Sequence, residues 1–479
     1  MAMTTKTRAF IGPLIHSLPG SKDGSPTLEI IPLGFLLLNA QGTHIELMAK
    51  TVDPSNPTAS LNSLNLAPDQ IDITYLAKGE FLIPGFVDTH NHAPQWNMRG
   101  LGQGLHILDW LDQITFPQES KFSDPAYARQ AYSSCVDGFL RQGITTASYY
   151  GSVHGEATKI LADMCFSKGQ RAFVGKCNMT RNSPDSYRDA SVEESLRVTR
   201  ECIDHIQNID PAGELVKPVL TPRFAISCTP ETLQGLGEIA KKHPDLPIQT
   251  HFNEAEQEIV ATKELFPQFG GSESDLYEHY GLLGPRTILA HCCHMTEYEL
   301  KRVKELECGV AHCPISNMTV GGGFMAAPVR EFMRRGIKVG LGTDSGGGFS
   351  SSIIDAMRQA MIASHAREKL SEGKDKGLST AEVFYLATLG GAEVCGLADK
   401  IGSFDVGKEF DALVIGTVDD GGKELGVMTP VLPDDDLRTV FEKFIMTGDD
   451  RNIVRVFIRG RLVKKEAGRW DRAQVGIPN

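Results

Sequence analysis

The sequence predicts an α/β fold: a (β/α)8 TIM-type barrel carrying a small composite β domain built from both termini. Three observations predict it. Eight strand-like runs alternate with helical patterns over roughly 260 residues, the size of such a barrel. Residues with ligand-type side chains recur at the C-terminal ends of those runs. The two flanks read as short β segments, neither large enough for a core of its own.

The barrel is expected over residues 81–399, and a composite β-sandwich domain over 1–80 and 400–479. The first flank holds "LEIIPLGFLLLNA" between the turn-rich runs "LPGSKDGSPT" and "DPSNPTASLNS". Barrel strands are expected at 81–90, 144–150, 171–179, 216–224, 246–254, 287–293, 309–316 and 338–344. Between them, Ala131, Tyr132, Cys135, Phe139 and Leu140 recur near a 3.6 period, with Gly143 as a stop. Ser191 and Glu194 have capping-box spacing. Thr229 caps a helix with Pro230 at its first position, and another helix starts at Thr296. The last flank contributes "DALVIGT" and "VRVFIRGRLV", with a long acidic loop over 416–436. A doubly wound open sheet is the rival architecture.

Composition narrows the function. A net charge of −12 over 479 residues, with no dense Lys/Arg stripe, argues against a nucleic-acid partner. No apolar run approaches a membrane span, and "MAMTTKTRAF" lacks the apolar stretch of a secretory signal. Ten scattered cysteines without a CxxC pair read as free buried thiols in a reducing, cytoplasmic setting.

The strand ends, read in order, give His90 and His92, then Arg223, His251 with Glu254, His291, and Asp344. Alternate residues of a strand share a face, so His90 and His92 turn inward together and Asn91 turns away. Three neutral imidazoles and a carboxylate suit a borderline divalent ion such as zinc, with a position left for water. An isolated HxH among fourteen histidines carries little weight; the same ligand types at strands one, five and eight carry much more. "AHCCHM" (290–295) resembles a finger, but neighbours on a strand face opposite sides. Only His291 is kept; Cys292 and Cys293 are expected in the core and His294 in a loop. His312 and Cys313 read as packing residues. Neither an HxE…PCxxC pattern nor a helical HExxH is present.

"PGFVDTHNH", "QTHFNE", "LAHCCH" and "LGTDSGGG" resemble motifs of the metal-dependent amidohydrolase superfamily. "HNHAPQ", "LDWLDQITFPQE", "GQRAFVGKCNM", "VLTPRFAISC" and "LGTDSGGGFSSSIIDAMRQA" are similar, within it, to the guanine deaminase family of purine aminohydrolases. The resemblance covers nearly all of the chain from about residue 80. It implies hydrolysis of guanine at C2 to xanthine and ammonia, with one zinc per chain on His90, His92, His251 and Asp344. Strand four ends in Thr221, Pro222, Arg223 and Phe224, without the lysine or glutamate of binuclear members, which favours one ion. Family habit implies a homodimer.

On this reading Asp344 takes the water proton, Glu254 shuttles protons to the ring and the leaving ammonia, and His291 orients the nucleophile. The plainer role for Glu254 is a helix-start carboxylate worth about 0.3–1 kcal/mol. Gln95 and Arg223 are expected to read the base, Arg223 donating to O6, against a plain ion pair with a loop carboxylate. Phe224 is expected either to wall the flat ring or to pack. His92, His251, Glu254 and Asp344 also face the substrate. The 101–119 segment is a candidate lid, in which Trp110 and Phe116 are either lid or packing residues. Alternatives are an 8-oxoguanine, cytosine or S-adenosylhomocysteine deaminase, a triazine hydrolase, or a non-catalytic scaffold on the same fold.

Overall fold

In the computed structural model, residues 6–20, 26–53, 56, 70–321, 324–419 and 422–465 are described. Most of the two turn-rich runs of the first flank, the first five residues and part of the acidic loop lie outside them. In chain order the strands are β1 (Thr7–Leu18), β2 (Thr27–Leu38), β3 (Ile45–Ala49), β4 (Ile71–Tyr75) and β5 (Glu80–Pro84). The middle of the chain supplies β6 (Phe86–His92), β7 (Ile144–Tyr150), β8 (Arg171–Gly175), β9 (Cys177–Asn178), β10 (Val216–Pro218) and β11 (Thr221–Pro222). It continues with β12 (Ile248–Phe252), β13 (Thr287–His291), β14 (Gly309–His312) and β15 (Lys338–Leu341). The last three are β16 (Ala412–Gly416), β17 (Ile453–Ile458) and β18 (Arg461–Lys465).

The core strands form two four-stranded parallel sheets, β6, β7, β8, β10 in one ladder order and β12 to β15 in the other, with β9 paired to β11. Their faces are covered by helices, so the strands are buried throughout, as parallel strands must be. A parallel bridge between Leu220 and Ile248 links the two sheets on one side. On the other, the Asp344 N–H donates to the His90 carbonyl at 2.9 Å. The expected third and fourth strands are each split in two. Pro218 and Pro222 lack an N–H for a ladder, and the chain between them pairs instead through Leu220 with Pro247 and Gln249.

The helices follow their sequence signals. The helix Pro125–Arg141 buries Ala131, Tyr132, Cys135, Phe139 and Leu140, and Gly143 after it takes φ +78°. Thr229 accepts from the Thr232 N–H. Thr296 and Glu299 form a full capping box. Ser191 accepts from the Glu194 N–H, the forward half of that motif.

Two expectations change. The run 81–90 is not one strand. Residues Glu80–Pro84 pair with β16 and β1, and only from Phe86 does the chain enter the core ladder. Gly85 makes the switch: its N–H donates to the Asp411 carbonyl, and a Cβ there would collide with the Thr145 side chain. The flanks, expected as a sandwich, form one hydrogen-bonded eight-stranded sheet among the described residues, ordered β18-β17-β16-β5-β1-β2-β3 with β4 on β1. The ladder of β1 and β2 has a register shift at Gly12/Leu14, and alternation along β1 sends apolar residues to separate clusters, Phe10 and Leu14 with Phe410 in one, Ala9 and Ile11 with Phe35 in another.

A buried ion network ties this sheet to the core. Arg171, at the start of β8, reaches Glu409 at 2.5 Å and Asp411 at 3.2 Å; Arg459 lies 3.2 Å from Glu409. Removing one member strands buried charge. Arg171→Ala is expected to lower unfolding free energy by about 3–5 kcal/mol in urea melts, whereas a loss below about 1 kcal/mol would mean that water replaces the guanidinium freely.

Candidate metal centre and its cavity

His90 and His92 end β6 on one face, His251 sits in β12, His291 ends β13, and Asp344 follows β15. Alternation sets the first pair; His251 lies within its strand, and left-handed backbone is found at His291 and Asp344. His291 has φ +75° and Asp344 φ +42°, and Asn253, between His251 and Glu254, has φ +46°. Such conformations cost of order 1–3 kcal/mol each and cluster where side chains must be held against preference.

The side chains converge. His90 Nε2 lies 3.2 Å from Asp344 Oδ1 and His92 Nε2 3.6 Å from the same oxygen. The Nε2 atoms of His92 and His251 are 3.1 Å apart. One ligand atom each of His90, His92 and His251 falls within 4.8 Å of the others, a spacing that suits one ion. His251 Nδ1 donates to the Arg223 carbonyl at 2.6 Å, which leaves its Nε2 lone pair facing the cluster. Both ring nitrogens of His90 are buried without a hydrogen-bond partner. Burial above all lowers the pKa of His90, His92 and His251, so each is a neutral donor. Orphaned buried nitrogens beside an ionised carboxylate are what a cation would satisfy.

The two carboxyl groups are pushed apart. Burial opposes ionisation of Asp344, but the polar ring edges of His90, 3.2 Å away, and of His291 and His92 hold it well below the usual range. Burial and the negative charge of Asp344 push Glu254 well up. Glu254 Oε2 lies 3.6 Å from His291 Nε2, while His291 Nδ1 meets Asn317 Oδ1 at 2.8 Å.

The cavity above the cluster is lined by His92, Gln95, Arg223, Phe224, His251, Glu254 and Asp344, together with Glu258 and Gly347. The seven residues expected to face substrate therefore all line this one cavity, and His90 and His291 are not among its lining. Arg223 and Phe224 both reach it because regular strand ends at Pro222 and alternation no longer applies. Phe224 sets its ring edge-on to His251, centroids 5.9 Å apart. From the 101–119 segment, Ile107, Leu108, Trp110 and Leu111 cover the cavity. From Ile107 to Glu119 that segment is one helical run with a widened turn over Leu111–Thr115, just before Pro117, which lacks an N–H and crowds the preceding turn. Phe116 lies apart from the cavity lining, against Tyr187 and 5.7 Å from the Arg223 guanidinium.

The sequence reading missed several neighbours. Glu119 pairs with Arg223 at 2.8 Å. Glu258 accepts the Glu254 N–H at 2.8 Å, and burial pushes its pKa up to about 7. Asp88 binds the Thr343 hydroxyl at 2.6 Å and its N–H at 3.0 Å; burial pushes it up to about 7. Cys313 lies within 4.8 Å of ring nitrogens of His90 and His291, yet burial and nearby carboxylates keep it a neutral thiol, donating to the Ala311 carbonyl. Asp88 and Glu119 stand inside the motifs "FVDTH" and "TFPQE", but nothing local names their partners. Cys292 and Cys293 are buried, as expected.

This centre on parallel strands defines a class: residues 81–463 match the amidohydrolase family, and the chain belongs to it. The probable guanine deaminase of Schizosaccharomyces pombe is 39% identical over 454 residues, covering 95% of this chain and 83% of its own length. The guanine deaminase of Dictyostelium discoideum is 37% identical, covering 95% and 98%. The structure of guanine deaminase from C. acetobutylicum with bound guanine superposes with a TM-score of 0.82 at 32% identity, covering 95% of this chain and 99% of that one.

Proposed function

We propose that this chain hydrolyses guanine to xanthine and ammonia, a step of purine catabolism and salvage, with one zinc ion on His90, His92, His251 and Asp344. The convergence of those four side chains beneath a cavity walled by Arg223 and Gln95 carries the reading. Relatives of that activity matching 95% of the chain support the substrate. Three nitrogens and one oxygen suit zinc. The Arg223 guanidinium, where binuclear relatives of the fold carry a bridging ligand, opposes a second cation.

When bound, the metal supplies Lewis acidity, lowering the pKa of water towards about 7. The chain's own residues do the rest. Asp344, held ionised, takes the proton of the attacking water. Glu254, held protonated, donates to the ring nitrogen beside C2, is recharged with the proton that Asp344 took from the water and passes it to the departing amine; the proton released as the C2 hydroxyl becomes a carbonyl restores Glu254. His291, fixed by Asn317, orients the water through Nε2. Phe224 and the 107–111 turn exclude solvent from the flat ring. Arg223 donates to O6, which an adenine amino group cannot accept.

Metal analysis combined with ammonia release tests the reading. Zinc near one per chain and ammonia from guanine are expected; metallated protein that spares guanine but deaminates cytosine, 8-oxoguanine or S-adenosylhomocysteine would move the assignment to that branch. Arg223→Ala is expected to lower the kcat/KM preference for guanine over 2,6-diaminopurine, which keeps the C2 amine but has an amino group in place of O6, by about 10- to 100-fold, the value of one or two charged hydrogen bonds. An unchanged preference would remove Arg223 from recognition.

The same reading takes the eight core strands as a closed (β/α)8 barrel over 86–399, supported by the links at Leu220–Ile248 and His90–Asp344. The terminal sheet is then the composite domain. Ten free, buried cysteines support a cytoplasmic enzyme. A homodimer, the superfamily habit, is checked by sedimentation.

A further inference from the structure

We propose that Glu119 is a positioning residue that sets the polarity of the base-reading wall, locking the Gln95 amide with its carbonyl available to substrate beside the donating Arg223. This rests on the guanine reading above. Glu119 is fully buried at the end of the helical run over the cavity. Its Oε2 accepts from Arg223 Nη1 at 2.8 Å; its Oε1 accepts from Arg223 Nη2 at 3.2 Å and from Gln95 Nε2 at 2.7 Å. A carboxylate only accepts, so Gln95 must turn its NH2 to Glu119 and its Oε1 away. That Oε1 is buried without a hydrogen-bond partner, against Gly346, where a Cβ would collide with it. Gly347 next to it lines the cavity, as do Gln95 and Arg223.

The wall therefore offers a cationic donor and a neutral acceptor side by side. On the six-membered ring of guanine, next to the reacting C2, stand an acceptor, O6, and an adjacent donor, N1–H. The two patterns are complementary, and one carboxylate holds both halves in place. Glu119 touches no reacting atom; it acts through Gln95 and Arg223.

Glu119→Gln keeps the shape but introduces an N–H that must face a donor. Flipping the Gln95 amide relieves the clash and turns its NH2 to the substrate. The test compares kcat/KM for guanine with that for 2-aminopurine, which has neither O6 nor N1–H; this ratio is independent of the folded fraction. In E119Q the guanine preference is expected to fall at least about tenfold. The exchanged pair Q95E/E119Q, in which the new carboxylate presents an oxygen to the cavity either way round, is expected to restore it to within about threefold. A ratio unchanged in E119Q, or equal losses on both purines that the exchanged pair does not recover, overturns the proposal. Should E119Q alone be inactive, the exchanged pair decides: guanine selectivity supports the proposal and inactivity overturns it. Guanine turnover by the unsubstituted protein separately decides the reading on which this rests.

Discussion

Glu254→Gln is expected to lower kcat on guanine by about 10²–10⁴ while zinc content stays at that of the unsubstituted protein. The amide keeps the size of the side chain and still fits beside His291, but it cannot donate a proton and take it back. Burial and the Asp344 charge raise the Glu254 pKa, so the acid form persists to higher pH than for an ordinary glutamate. As pH climbs through that raised value the protonated fraction falls, so kcat declines on the alkaline side. E254Q has no such group and is expected to lose that limb. Stopped ammonia assays across pH, with metal analysis of both proteins, check it. Turnover near that of the parent would leave Glu254 as a helix-start carboxylate, and loss of zinc would make it part of the ligand shell.

His251→Asn is expected to empty the centre. The asparagine amide can still donate to the Arg223 carbonyl, as His251 Nδ1 does, but it offers nothing in place of Nε2. Zinc is expected to fall well below one per chain and turnover by at least about a thousandfold. Stability gives a second readout. A ligand that binds only the folded state, at 1,000 times its Kd, adds about 4 kcal/mol. The variant is therefore expected to melt below the parent and to show no response to zinc, and chelator treatment of the parent is expected to reproduce the shift. A variant that keeps stoichiometric zinc and the parental melting temperature would exclude His251 as a ligand.

Much of this was legible in one dimension because its cause is local. A period of two put His90 and His92 on one face. Cap residues such as Thr229 and Thr296 mark helix starts because they satisfy nearby N–H groups. Ile144–Tyr150 spans the residues expected of it, a run rich in β-branched and aromatic residues bounded by Gly143 and Gly151. The strand-end rule then gathered ligand types from distant segments without any contact being known.

Other features depend on pairings between remote residues. Residues 81–84 look like the start of a core strand, but the ladder of β16, more than three hundred residues later, takes them. Arg223 reads in the sequence as a base reader or an ion-pair partner; the structure shows the ion pair, because Glu119 arrives beneath it from a helical run 104 positions earlier, and leaves Arg223 on the cavity wall as well. The orientation of the Gln95 amide follows from that same carboxylate, and the opposed pKa directions of Glu254 and Asp344 follow from their surroundings: both are buried, but only Asp344 is ringed by imidazoles, and its charge raises Glu254 further. The sequence by itself determined which groups stand at the strand ends, since period and capping are properties of neighbouring residues. Only the tertiary structure decided which of them meet and how each is charged, since hydrogen-bond pairing and desolvation arise where distant parts of the chain exclude water together.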